Sequence, residues 1–106
     1  MMNFKEREEA FESKYKHDED LRFRAIARRN KLFGLWVAEQ LGLKDDDAQH
    51  YARTVVQADM KMPGDQDVID KVKADLDEAN VDLSEHRLQK RLEECFDEAR
   101  RQMMNE

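Results

Sequence analysis

One cysteine, one proline and three glycines are spread over 106 residues, and aromatic side chains make up only 8% of the chain. A lone Cys95 closes no internal disulfide, so no cross-linked scaffold is expected, and a reducing cytoplasm suits the chain. Scarce proline and glycine remove the residues that punctuate strands and tight turns. Long apolar runs are missing too. The longest mainly apolar stretch, residues 32–38, falls far short of the ~20 residues that cross a bilayer. The charged amino terminus lacks the apolar core of a secretory signal, so the protein is expected to stay where it is made, without a transmembrane segment.

What the chain has is charge. Charged residues make up 42% of it against 40% apolar residues, and the net charge is -6. One apolar core of ordinary domain size is expected, with heavily charged outer faces, and helices build this better than strands. The acidic balance excludes a general nucleic-acid binder, because phosphates attract basic surfaces.

The apolar residues recur at helical spacing. In residues 1–17 the charges are dense, and Phe4, Phe11 and Tyr15, seven and four apart, share one helical face. Such a short helix is marginal in water unless that face is buried, so residues 1–17 are expected to be a mobile, partly helical arm, disordered or fluctuating when free. From Asp18 onward Leu21, Ala25, Leu32 and Trp36 form one stripe, and Ile26, Phe33 and Val37 another. Residues 32–38 are apolar nearly all round, which places this segment at the centre of a bundle. Gly42 is expected to end the helix in a left-handed cap. Asp45, Asp46 and Asp47 then offer an N-cap and suit the positive end of the next helix.

That second helix carries Ala48, Tyr51, Ala52, Val55 and Val56 and stops at Pro63-Gly64. A third begins at Asp65 with Val68, Ile69, Val72, Leu76 and Ala79. Ser84 caps a fourth, Leu83 and Leu88 form a hydrophobic staple, and Leu88, Leu92, Cys95, Ala99 and Met103 make the buried stripe. Short linkers favour antiparallel neighbours. The fold expected is an all-α four-helix bundle over residues 18–106 carrying the arm. Four helices use the apolar residues fully, so the free protein is expected to be a monomer.

Chemistry is scarce. The segment from Asp59 to Asp70 has a glycine at the sixth position of a calcium-loop pattern, but Lys61 and Pro63 stand where oxygen ligands are required. His17, His50 and His86 lie on three segments, and none has a second ligand at three- or four-residue spacing. Cys95 reads as a small core residue, without the basic, exposed setting of a reactive thiol. No catalytic residues, metal site, cofactor or Gly-rich phosphate loop is read. Arg24, Arg28 and Lys31, with Arg22 and Arg29 on a second stripe, form the most basic surface. The plain reading is a solvated face paired with Asp18, Glu19 and Asp20 one turn away. The alternative is a small nucleotide-sensing helical module, binding ATP or ADP weakly, in which Arg28 and Arg29 hold phosphates and Trp36 or Tyr51 stacks on the base.

The run Ala27-Arg28-Arg29-Asn30-Lys31-Leu32-Phe33-Gly34-Leu35-Trp36 closely resembles the signature of the ATPase inhibitor zeta subunit family, small proteins bound to the F-type ATP synthase of alphaproteobacteria. The likeness extends upstream through Phe4, Arg7-Glu8, Ala10, Lys14 and His17-Asp18. Downstream it includes Tyr51-Ala52, Val55-Val56, Ala58-Asp59, Gly64, Asp67-Val68, Lys71-Val72 and Asp75-Leu76, and so covers nearly the whole chain. Lys61-Met62-Pro63 and Cys95 look like local departures.

The resemblance implies a non-enzymatic inhibitor of ATP hydrolysis. Its arm becomes helical on entering the catalytic head and wedges between a catalytic subunit, its non-catalytic neighbour and the central rotor. It would block rotation in the hydrolytic direction from the cytoplasmic side, peripheral to the inner membrane through the synthase. On this reading Phe4, Phe11 and Tyr15 anchor in apolar pockets, while Lys5, Glu6, Arg7, Glu8, Glu9, Glu12 and Lys14 pair with charged walls.

Overall fold

In the computed structural model of the chain, the backbone is described for residues 4–61 and 64–106, and the side chains for residues 17–59 and 64–106. Four helices account for the ordered elements among them: α1 (Phe4–Gln40), α2 (Asp45–Lys61), α3 (Asp65–Glu78) and α4 (Glu85–Met104). The all-α, four-helix expectation holds. The mobility expected of the arm, and the side chains of Phe4, Lys5, Glu6, Arg7, Glu8, Phe11, Lys14 and Tyr15, lie outside the described residues.

α1 is one helix of 37 residues, which at the usual rise is roughly 55 Å long. Its carboxy-terminal half is the centre of the bundle and packs mainly on α2 and α4, with α3 as a lesser neighbour. Phe33 and Val37 are fully buried, with Val55 from α2, Val68, Ile69, Val72 and Leu76 from α3, and Leu88, Leu92 and Cys95 from α4. Leu32, Trp36, Tyr51 and Leu83 cover this core at its edges.

Two local devices set how α1 meets α2. A side chain at Gly34 would bring its Cβ within 2.8 Å of the Ala52 backbone, so only glycine allows the helices to approach this closely. Gly42, at φ 78°, then ends the helix as expected. The amide of Leu43 donates to the Ala38 carbonyl at 2.9 Å and that of Gly42 to the Glu39 carbonyl at 3.1 Å, the two bonds of a Schellman cap. The chain re-enters a helix at once, with the Lys44 carbonyl accepting from the amides of Asp47 and Ala48. Asp45, Asp46 and Asp47 occupy the first turn, where their charges suit the helix dipole.

The end of α3 repeats the device without glycine. Asn80 sits at φ 60°, Val81 donates to the Leu76 carbonyl at 2.9 Å, and Asn80 donates to that of Asp77. Ser84 accepts from the Arg87 amide at 3.2 Å, capping α4 as expected, and Leu88 is fully buried beneath the half-buried Leu83.

Three apolar expectations change, the first being Met103, which is only half-buried at the end of the α4 stripe. Ala79 is the exposed C-cap of α3 rather than part of its buried stripe, because the helix ends at Glu78. Leu21 is 37% exposed, because only the end of α4 borders α1 at that level and leaves an open groove there.

Candidate functional site

The unbroken course of α1 puts the arm positions on the same helix as the core positions. Residues 17–24 are exposed at every position, and Ala25 is the first buried residue of α1 among those whose side chains are described. The chain from His17 to Arg24 is thus an exposed stretch of helix that borders the bundle from Leu21 onward, and residues 4–16 continue the helix. His17 is on this exposed limb, while His50 and His86 lie on the exposed faces of α2 and α4, so no two of them come from the same helix. Among the described residues no three His, Cys, Asp or Glu side chains converge as a metal site would require.

Where the limb leaves the bundle, Arg24, Arg28 and Arg29 take partners other than Asp18, Glu19 and Asp20. Arg28 pairs with Glu106 at the end of the chain, and Arg24 lies 3.9 Å from the same carboxylate. Arg29 is not solvated: it is 6% exposed. Its Nε and Nη2 donate to Asn30 Oδ1 at 3.0 and 2.9 Å, and its Nη1 donates to Asp65 at 3.0 Å. Asn30, 1% exposed, donates to Asp59 at 2.9 Å, and the Asp59 carboxylate also accepts from the Gly64 amide. This network ties the junction of α2 and α3 to α1, and it satisfies polar groups that would be costly to bury alone.

Trp36 lies elsewhere. Its ring packs on Phe33 with centroids 6.1 Å apart, and the Arg91 guanidinium covers it at 5.5 Å. Tyr51 donates to Asp75 at 2.8 Å, and Lys71 reaches the same carboxylate while its ammonium sits 5.3 Å from the Tyr51 ring centre. Burial, reinforced by Asp75, holds the Tyr51 hydroxyl above the usual phenol range. Arg28, Arg29, Trp36 and Tyr51 therefore serve four separate neighbourhoods, and all three nitrogens of the Arg29 guanidinium are engaged within the chain. Burial likewise pushes the Cys95 thiol up, away from the thiolate that a nucleophile needs.

Asn30, Asp59 and Asp65 were named from the sequence only as parts of other patterns and Glu106 not at all, and none was read as a partner of the arginines. Asn30 left one signal, a polar side chain at helical spacing with the apolar residues Ile26, Phe33 and Val37. Its partners come from distant segments and left none.

The central helix of this small bundle thus extends beyond it with residues 17–24 exposed. The family model for ATPase inhibitor subunit zeta matches residues 1–102. The chain belongs to that family. Three chains of solved structures match this chain. One, determined by solution NMR, is 44% identical, covers 80% of this chain and 96% of its own, and superposes with a TM-score of 0.71. Comparison with curated proteins finds no match. Membership of an inhibitor-subunit family suggests a protein that acts on ATP synthase by binding rather than by catalysis. No helix among the described residues is long and apolar enough to cross a membrane.

Proposed function

We propose that this zeta subunit inhibits ATP hydrolysis by the F-type ATP synthase through the amino-terminal limb of α1. Residues 1–17 enter the catalytic head between a catalytic subunit, its non-catalytic neighbour and the rotor, and block rotation in the hydrolytic direction. Phe4, Phe11 and Tyr15 supply the apolar anchors, and Lys5, Glu6, Arg7, Glu8 and Lys14 fix the register against charged walls. The protein acts without a catalytic group or cofactor of its own, on the cytoplasmic face, held near the inner membrane by the synthase.

The observation that carries this reading is the continuity of α1, in a chain matched to the inhibitor family through its first residue. Helix formation is limited by its first turn, and a limb growing from a folded helix needs propagation alone. A load on the limb is also passed directly to a packed core through Ala25, Arg29 and Phe33. The nucleotide-sensing alternative gains no support, because Arg28 and Arg29 are paired within the chain and Trp36 lies under Arg91.

The test is ATP hydrolysis by the isolated catalytic head of the cognate synthase, with the full-length chain and with a chain lacking residues 1–16, both shown to be folded by helical circular dichroism. Inhibition by the full-length chain only is the expected result. Equal inhibition by both would move the function away from the limb, and inhibition by neither would end the inhibitor reading.

A further inference from the structure

Among the described residues, the large apolar side chains left exposed are Leu21 at 37%, Phe23 at 64% and Met104 at 83%. All three lie at the end of the bundle from which the limb of α1 emerges, Leu21 and Phe23 on its last free turns and Met104 at the close of α4. Leu21 and Met104 share one groove, floored also by Ala25, Phe96 and Met103. The edges of that groove are basic. Arg22 and Arg100 line it, and the Arg100 guanidinium lies 5.8 Å from the Phe96 ring centre. Arg24 and Arg28 stand one helical turn from Leu21 and Ala25, and the carboxylate of the chain's own Glu106 rests against both. In a chain of net charge -6, this is an apolar trough with Arg22 and Arg100 on its edges, beside two further arginines that already hold a carboxylate.

We infer that this groove between α1 and the end of α4 is a second docking surface for the ATP synthase, which receives apolar side chains flanked by carboxylates on the subunit that the arm enters. The inference rests on the arm reading. Two observations choose the occupant. First, the groove continues directly from the limb: a partner that encloses α1 up to its last exposed turn meets Leu21 and Met104 next. Second, the arginine rim complements an acidic protein edge, whereas the strongly acidic remainder of the chain repels an anionic membrane. The groove holds the bundle against the head while the limb is inserted, so that withdrawal of the limb requires both contacts to break.

The test uses the full chain and the triple variant Leu21→Gln, Arg100→Glu and Met104→Gln, whose three positions are exposed and are replaced by helix-tolerant residues. Each is measured for binding to the solubilised cognate synthase and for inhibition of ATP hydrolysis. The expected result is a dissociation constant raised by about 10- to 100-fold in the variant, with unchanged helical circular dichroism and a weaker dependence on salt than the wild type. Binding within about twofold of wild type overturns the proposal. A wild-type chain that binds without inhibiting, and that the variant weakens, sinks the arm reading and leaves the groove standing. A wild-type chain that does not bind at all overturns both. Flotation of the wild type, but not the variant, with anionic lipid vesicles would assign the groove to a membrane. Sedimentation as a dimer that the variant dissociates would assign it to a second copy, and either result overturns the proposal.

Discussion

Arg29 reaches Asp65 across 3.0 Å from a side chain that is 7% exposed, while the carboxylate it reaches is largely in solvent. The pair is therefore lopsided. Most of what the buried guanidinium requires is supplied by Asn30, which in turn holds Asp59.

Substitution within this network should accordingly hurt by burial rather than by charge. Asn30→Leu leaves two guanidinium nitrogens and the Oδ2 atom of Asp59 without partners and is expected to cost about 2 to 3 kcal/mol. Asp65→Asn removes the exposed half of the pair and is expected to cost less than about 1 kcal/mol. Urea unfolding followed by Trp36 fluorescence measures both. A larger loss for Asp65→Asn would mean that the network is organised from α3.

Gly34 and Gly42 should fail for different reasons. Gly34→Ala gains helix propensity yet drives a methyl group into Ala52, for a net loss of about 1 to 3 kcal/mol. Gly42→Ala meets no atom within 4 Å but is strained at φ 78°, and should lose about 1 to 2 kcal/mol. Gly42→Asn should recover much of that loss, because Asn tolerates the left-handed region, as Asn80 does here. Thermal unfolding of the three variants separates contact from conformation.

Tyr51 links stability to alkaline pH. Burial and Asp75 hold its hydroxyl above the usual phenol range, so the folded state keeps a proton that the unfolded chain releases near pH ~10. The corresponding stabilisation is complete below that pH and declines above it. In a Tyr15→Phe background, phenolate absorbance should rise only together with loss of helix. Phenolate formation while the helix signal is intact would show that the Asp75 bond does not hold the proton. Tyr51→Phe should remove the alkaline decline and cost about 1 kcal/mol at neutral pH.

Cys95 is expected to react slowly with a thiol-alkylating reagent in the folded chain, since burial both shields the sulfur and raises its proton affinity. The alkylation rate should increase with urea in step with the population of unfolded chain. Rapid labelling in native buffer would show a local opening of α4 around Leu92 and Ala99.

The double variant Phe4→Ala and Phe11→Ala tests the proposed anchors. Two anchors of ordinary interface strength should raise the half-inhibitory concentration by about 100-fold or more, with no change in the urea midpoint of the bundle. Retained inhibition by the folded variant would put the anchoring elsewhere on the limb.

Helix number, the Gly42 cap, the Ser84 cap with its Leu83 and Leu88 staple, and the buried stripe through Leu88, Leu92, Cys95 and Ala99 were all legible as pattern. Each is a contact within one turn or one helical face, so the residues that decide it are neighbours in sequence. The inhibitor family was legible as well, in the run from Ala27 to Trp36. The fate of that same run was not. Arg28 and Arg29 are adjacent and chemically alike, and charge alone treats both as surface.

Composition and spacing by themselves determined that this chain makes helices, where most of them stop, and which faces are apolar, because propensity, capping and periodicity act over a few residues. Only the tertiary structure decided that Arg29 is buried while Arg28 is latched to Glu106, that Gly34 is required by Ala52, and that residues 17–24 of α1 are exposed. Those outcomes depend on which distant segments arrive at a given face. A polar side chain is buried or free according to whether a partner such as Asp59 or Asp65 is brought within hydrogen-bonding reach.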